Sequence, residues 1–434
     1  MEQLNSLSPL DGRYQEATQS IRKYFSESAL IKYRTNLEML YLMHLLDFLE
    51  IPNSEFDFFE VSDEDVLKIK EIEKKVRHDV KAVELFLRDR INNKYVLEFI
   101  HFGLTSQDVN SSSYVLSMKE SNQEIIIPTI DKMINLIHQK SENWFQIPML
   151  SRTHGQPASP TTLGKELMVF SERMRKQLHQ LKEFKYTTKF GGAVGNFNSH
   201  YIAYPEKDWV KFGNNFTESI GLERNHYTTQ IDNYDNYSEM FDIFKRLATV
   251  MIDFCRDIWL YVSQDYFTQL NLSGEVGSSA MPHKINPINF ENAEGNLMMA
   301  VSLLEFMSRK LPVSRLQRDL TDSTVLRNIG TCYGYLLIGV ESIMSGLKRI
   351  DVNRKKIRED LDKNKIVLAE AVQSILRKEG VENSYLLIKE MTRGGKDLDV
   401  EEMVVLLEEK GIQISEAGKS QIYNLDVHSY VGRF

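Results

Sequence analysis

The chain has 434 residues, 42% of them hydrophobic and 26% charged, with a formal net charge of −8. That length supports two or three domains around a large core, the composition is ordinary for a soluble globular protein, and the acidic balance excludes a protein that coats nucleic acid through a global basic field. No apolar run approaches the roughly 18 residues that span a bilayer, the N-terminus Met1-Glu2-Gln3-Leu4 lacks the basic and apolar regions of a signal peptide, and Cys255 with Cys332 are too few for a disulfide framework, so a reducing cytoplasm is the expected compartment.

Residues 1–112 read as short helices broken by polar turns. Ser8-Pro9-Leu10-Asp11-Gly12-Arg13-Tyr14 is a turn-rich opening that presents a cation and a phenol, and it reads either as an arm packed on the body or as a ligand contact. Residues 73–84 read as one helix with Val76, Val80 and Val83 on one face, which leaves His78 off that stripe beside Asp79. Thr105-Ser106-Gln107-Asp108 follows as a helix start whose paired hydroxyls suit either capping or the binding of a carboxylate or phosphate.

From about 113 to 352 the pattern changes to long helices. Apolar positions 240, 244, 247, 251, 254 and 258 repeat by fours and threes with a second stripe at 243, 247, 250 and 254, which marks a helix buried on much of its circumference, as in a bundle. Ile126, Ile130, Ile134 and Ile137 make a comparable stripe. Such rods bury more against one another than alone, so an intersubunit helical core is expected.

Polar interruptions between the helices hold the chemistry. Ser151-Arg152-Thr153-His154-Gly155-Gln156-Pro157 places His154 on a turn between helices, and histidine is the natural proton donor near neutral pH. Residues 191–196, Gly-Gly-Ala-Val-Gly-Asn, lack the lysine and spacing of a phosphate-cradling loop and read as a hairpin. Gln230 precedes the helix at 236, while Arg318, Ser323 and Arg327 stand at the start of the last long helix. From 353 onward the chain reads as short amphipathic helices with no pointed cluster, and no His or Cys spacing suggests a metal site.

The most informative run is Gly277 to Pro287, Gly-Ser-Ser-Ala-Met-Pro-His-Lys-Ile-Asn-Pro. Its glycines and prolines disfavour helix and central strand, so a loop is expected whose backbone approaches a ligand closely. Ser278 or Ser279 offers a hydroxyl as nucleophile or base, Lys284 a positive point charge, and Asn286 an amide that both donates and accepts. With no Gly-x-Ser-x-Gly elbow, proton abstraction beside a carboxylate suits this set at least as well as acyl transfer.

This run resembles the signature of the fumarase/aspartase superfamily, with Ala280, His283 and Ile285 in its variable positions. The His283 choice, Ser8 to Tyr14, Arg77-His78-Asp79, Thr105 to Asp108, Ser151 to Pro157, Thr228-Thr229-Gln230, Gln317-Arg318-Asp319 and Ser323 to Asn328 extend the likeness over almost the whole chain, toward the adenylosuccinate lyase family. The resemblance implies an all-α fold of three helical domains at 1–112, 113–352 and 353–434, assembled through the middle one into a homotetramer with active sites shared between subunits. It implies release of fumarate from adenylosuccinate, giving AMP, and from succinylaminoimidazole carboxamide ribotide, giving AICAR, on succinylated purine nucleotides as substrates and with no cofactor.

Residue by residue, Ser278 resembles the family's general base and His154 its general acid, with Glu291 as the carboxylate pairing with that histidine. Lys284 and Asn286 resemble the groups that hold the substrate carboxylate. Arg13 and Tyr14, Arg318, and the run Ser323, Thr324, Val325, Leu326 and Arg327 resemble nucleotide and phosphate contacts, and Arg77, His78, Asp79, Thr105, Ser106, Gln230 and Asn292 further substrate contacts. Relatives run on past Ser429-Tyr430-Val431-Gly432-Arg433, where this sequence stops at Phe434. Two other readings stay open: a superfamily lyase or cycloisomerase acting on a different dicarboxylate, and a catalytically silent helical assembly protein, against which the intact Ser278, Lys284 and His154 argue.

Overall fold

The computed structural model describes residues 3–270, Met281, 284–393 and 398–433, and helices carry most of them. The apolar stripes become buried helix faces: Met240, Phe244, Leu247, Met251, Phe254 and Ile258 on helix Asp235–Ser263 are each at most 1% exposed. Ile126, Ile130, Ile134 and Ile137 are covered to the same degree. Among the described residues no helix is long and apolar enough to cross a membrane.

The chain forms two compact units, one from Met1–Lys132, Met174–Asp253 and Asn292–Ser342, the other from Met133–Arg173, Phe254–Glu291 and Ile343–Phe434. In the first, helix Glu27–Phe48 is longer than the short helices expected there. It escapes a periodicity search because it serves two cores at once. Met39, Leu42 and Leu46 join an apolar cluster with Val66, Ile69, Val83 and Phe86, whereas Leu37, Tyr41 and Leu45 join a second one with Phe190, Trp209, Phe212 and Phe216. Each fully buried Leu of this kind contributes about 1.5–3 kcal/mol relative to exposure.

The single helix expected over 73–84 is two helices, Asp63–Val76 and Asp79–Arg90. Arg77 ends the first in the left-handed region at φ 55°, its N–H bonded to the Glu73 carbonyl at 2.7 Å. His78 then caps the second, its ring nitrogen Nδ1 accepting the Lys81 N–H at 3.1 Å. No glycine or proline announces this break. An imidazole acceptor and a strained arginine make it.

Among the described residues three two-stranded sheets interrupt the helices. β1 (Pro148–Thr153) and β2 (Gln156–Thr162) are antiparallel, so the turn carrying His154 joins strands rather than helices. His154 and Gly155 both take positive φ, 53° and 74°, as the tight hairpin turns that match strand twist require. β3 (Thr187–Lys189) runs parallel to β4 (Glu223–Asn225), so residues 191–196 are not a hairpin; they form a loop leading into helix Asn198–Ala203. β5 (Phe267–Gln269) is antiparallel to β6 (Ile350–Val352). The second unit ends in the short helices expected beyond 353, packed around Leu361, Val372, Leu376, Met403, Val404, Leu407 and Ile422.

His200 is fully buried in the first unit, with Nε2 3.1 Å from the Tyr41 hydroxyl, and that hydroxyl donates to the Phe102 carbonyl at 2.6 Å. The Tyr41 oxygen is therefore the acceptor and Nε2 carries the imidazole proton. Burial pulls the imidazole down to about 4, so the folded ring stays neutral while an unfolded one, at the ordinary 6.5, takes a proton first. The stability this neutrality provides is complete above pH 6.5 and is lost as pH falls toward 4, a window that amounts to about 3 kcal/mol. His101, raised by Glu38 against its own burial, has the opposite sign, so the wild-type slope is a sum. The variant His200→Phe leaves the Tyr41 bond to Phe102 intact and isolates the term: its stability relative to wild type should rise by about 3 kcal/mol between pH 7 and 4 in urea unfolding, and a parallel pair of curves would refute the assignment.

Candidate active site

The break at Arg77 and His78 builds one wall of a cavity of about 480 Å³ within the first unit. Because Nδ1 of His78 accepts a backbone N–H, the neutral ring carries its proton on Nε2, which faces the Ser106 hydroxyl at 3.5 Å. Asp79, next along, accepts from the Val80 N–H at 2.9 Å, from Arg34 Nη2 at 2.8 Å and from Arg327 Nη2 at 3.1 Å. Burial pushes the Asp79 carboxyl up, but Arg34, the Val80 N–H and Arg327 together hold it below its ordinary range. Arg34 is 2% exposed and also donates from Nε to Asn110 at 2.8 Å.

The facing wall is the start of helix Ser106–Ser121. Thr105 is the N-cap of a capping box in which its N–H bonds the Asp108 carboxylate at 2.7 Å. That carboxylate is buried and takes the Lys189 ammonium at 2.7 Å and the N–H of Gly191 at 2.8 Å. The glycine loop thus cradles an anion, and the anion is the protein's own.

A third side comes from short helix Thr321–Leu326, which is separate from the long helix Ile329–Leu347 that it was expected to begin. Arg318 donates to the Gln230 amide oxygen at 3.3 Å and to the Ser323 hydroxyl at 3.1 Å. Buried Asp322 accepts from the Tyr234 hydroxyl at 2.9 Å and fixes the Ser323 N–H at 2.8 Å. Arg327 follows the short helix, spanning Asp79 and Glu27. The lining therefore sets four guanidiniums, of Arg34, Arg77, Arg318 and Arg327, against the carboxylates of Glu73 and Asp79, which is an environment for a polyanion.

Of the residues expected at a site, Arg77, His78, Asp79, Ser106, Arg318, Ser323, Thr324, Leu326 and Arg327 line this cavity, with Thr105 and Gln230 bonded into its walls. Val325 is buried and does not line it. Tyr14 and Asn292 meet each other, the amide of Asn292 donating to the phenol oxygen at 3.0 Å, and Arg13 is exposed beside them. The second unit holds His154, exposed at the hairpin tip, Lys284, also exposed, Asn286, half-buried, and Glu291, which accepts the Trp259 indole N–H at 3.0 Å. Ser278 and His283 lie outside the described residues. Arg34, Asn110 and Tyr114 line the cavity without having been singled out, and Gln107, named only within the run Thr105 to Asp108, lines it too. A signal existed for Arg34: at i, i+4, i+7 spacing it shares a helix face with Leu30 and Leu37, and a cation on an apolar face needs a buried partner. Among the described residues no group of three or more His, Cys, Asp or Glu is placed to hold a metal ion.

A family model described as lyase matches residues 54–301, and one described as adenylosuccinate lyase C-terminal matches 314–431. The adenylosuccinate lyase of Dictyostelium discoideum is 45% identical over 100% of this chain and 97% of its own length, and that of Escherichia coli K12 is 42% identical over 100% and 98%. A crystal structure of fumarate lyase from Mesorhizobium sp. BNC1 superposes with a TM-score of 0.75 at 16% identity, covering 95% of both chains, which is a likeness of fold.

Replacing Asp79 by Asn leaves the buried Arg34 guanidinium beside a neutral amide and should lower the unfolding free energy by about 3 kcal/mol. Arg327→Ala, whose side chain is 43% exposed, should cost less than about 1 kcal/mol. Urea unfolding of the two variants measures the contrast, and equal losses would show that the counter-charge to Arg34 lies elsewhere.

Proposed function

The chain belongs to the adenylosuccinate lyase family, and from that premise we propose that it eliminates fumarate from adenylosuccinate, giving AMP, and from succinylaminoimidazole carboxamide ribotide, giving AICAR. The observation that carries the reading to this chain's own residues is the cavity in which Arg34, Arg77, Arg318 and Arg327 outnumber two carboxylates and stand among His78, Ser106 and Ser323. A succinylated nucleotide bears two carboxylates and a phosphate, and an acidic chain needs such a concentration of cations to hold it.

In this reading Ser278 removes the proton beside the succinyl carboxylate and His154 protonates the departing nitrogen. Lys284 and Asn286 stabilise the charge that develops on the carboxylate oxygens. His78, whose Nδ1 already accepts the Lys81 N–H, offers Nε2 as a donor to the substrate, and Arg318, Ser323 and Arg327 receive the phosphate. No cofactor takes part.

We place the reaction in a cytoplasmic homotetramer whose sites are shared between subunits, with the chain divided near residues 112 and 352 into three domains. Met298, Met299 and Phe306 on helix Ile288–Lys310, at 48%, 48% and 53% exposure, support the assembly, since that helix is apolar on more of its circumference than one chain covers.

Purified protein given either succinylated nucleotide should release fumarate, and no release from either at any concentration ends the proposal. Ser278→Ala and His154→Ala should each lose roughly 10²–10⁴-fold in kcat with the oligomer intact. Mixing the two inactive variants should restore part of the activity, because some sites then draw both groups from intact copies; a mixture as inactive as its components would refute shared sites.

A further inference from the structure

In the second unit, β5 is firmly anchored. Phe267 is buried against Trp144, the Asn353 N–H bonds the Tyr266 carbonyl at 2.8 Å, and Gln269 pairs with Ile350 across the sheet. Directly after the strand, the Leu270 N–H bonds the Arg349 carbonyl at 2.7 Å. From this fixed point the Gln269 side chain reaches across, its Nε2 donating to the Ile285 carbonyl at 2.7 Å. That carbonyl lies between Lys284 and Asn286, the two groups assigned to the substrate carboxylate.

Packing does little to hold Ile285. Its side chain is 41% exposed, and it lines, with Gln269, Asp265, Asn353 and Lys355, an open cavity of about 530 Å³. The peptide unit is planar, so fixing the Ile285 oxygen toward β5 turns the Asn286 N–H the opposite way. On the other side the Lys284 N–H bonds the Met281 carbonyl at 3.0 Å. The Gln269 amide donor therefore fixes the peptide plane that joins Ile285 to Asn286, directly after Lys284.

We propose that Gln269 is a positioning residue for the elimination: its side-chain N–H, bonded to the Ile285 carbonyl, orients Lys284 and Asn286 toward the charge that develops on the substrate. The inference rests on the function proposed above. Gln269 itself touches no substrate. Misplacing a stabilising group by a fraction of an ångström weakens the transition state more than the bound ground state, so the effect falls on kcat.

The test uses the full-length protein with Gln269→Glu, the same shape without the donor, and Gln269→Met, which lacks it at every pH. At pH 8, fumarate release from adenylosuccinate by Gln269→Glu should fall about 10-fold or more in kcat, with KM within about 3-fold of wild type and Tm within about 2 °C. The deficit should narrow toward pH 5, where the new carboxyl gains a proton and can again donate, whereas that of Gln269→Met should not change with pH. Wild-type kcat in Gln269→Glu at pH 8, a deficit indifferent to pH, or a Tm that falls in step with kcat each overturns the inference. Wild-type protein that releases no fumarate sinks the proposed function, and this inference with it; wild-type activity beside an unaffected Gln269→Glu sinks the inference alone.

Discussion

The cavity of the first unit depends on one buried charge. Asp108 is inaccessible to solvent and gathers the Thr105 N–H at 2.7 Å, the Lys189 ammonium at 2.7 Å, and the N–H groups of Gly191 and Gly192 at 2.8 and 3.1 Å. An ion pair removed from water is tolerable only when its remaining lone pairs and protons are satisfied, and here the loop backbone does that. Lys189 completes its own set by donating to the Gly192 carbonyl at 2.6 Å. The consequence reaches the surface, because the same carboxylate that closes this knot also sets where helix Ser106–Ser121 begins. Behind it, Gly103 has a φ of 68° and lies so close to the His200 ring that an added Cβ would stand 2.4 Å away, so the turn feeding Thr105 is held from the apolar side as well. Ser106 faces His78 because this turn has no room to shift.

In front of the knot, charge alternates along a line: Glu27, Arg327, Asp79, Arg34, with Asn110 beside the last. Each guanidinium is held by carboxylates before any ligand arrives, which fixes its rotamer in advance. Less conformational entropy then remains to be lost on binding. The opposing cost is that an arriving anion competes with Glu27 and Asp79 for Arg327. That competition falls mainly on the half-exposed end of the line, since Arg34 is buried and committed while Arg327 is 43% exposed and shares its two ends between two carboxylates.

The sequence was most legible where one rule acted alone. The stripes of helix Asp235–Ser263 are buried along their length, so periodicity found them; the clustered cations and hydroxyls of 318–327 and 77–79 were visible as motifs, and they line one cavity. Legibility failed where two demands met on one element. Helix Glu27–Phe48 packs on two cores and carries Arg34 and Glu38 inside, so no single stripe marks it. The break at Arg77 uses a left-handed arginine, which no helix-stop rule anticipates. The glycines at 191 and 192 looked like a turn because their partner, Asp108, lies more than eighty residues away, and short-range patterns carry no information about a buried carboxylate. The strands around His154 hid for a local reason, since this hairpin owes its form to two left-handed turn residues rather than to its composition.

The exposure of His154 has its own logic under the proposed assignment. A general acid gains most where water is excluded and its charge is fixed by preorganised groups, yet in a single chain the residues from Arg152 to Pro157 are all exposed. A hairpin tip is a stiff way to carry a ring outward, because both turn residues are committed to left-handed backbone and the strands below pin the register. Such a device has little value inside its own subunit. It suits a side chain delivered to a neighbour, and the apolar positions left open on helix Ile288–Lys310 supply the surface on which neighbours would meet. Under the proposed assignment assembly and catalysis are one requirement, since an imidazole carried outward on a hairpin tip leaves water only where a neighbour covers it.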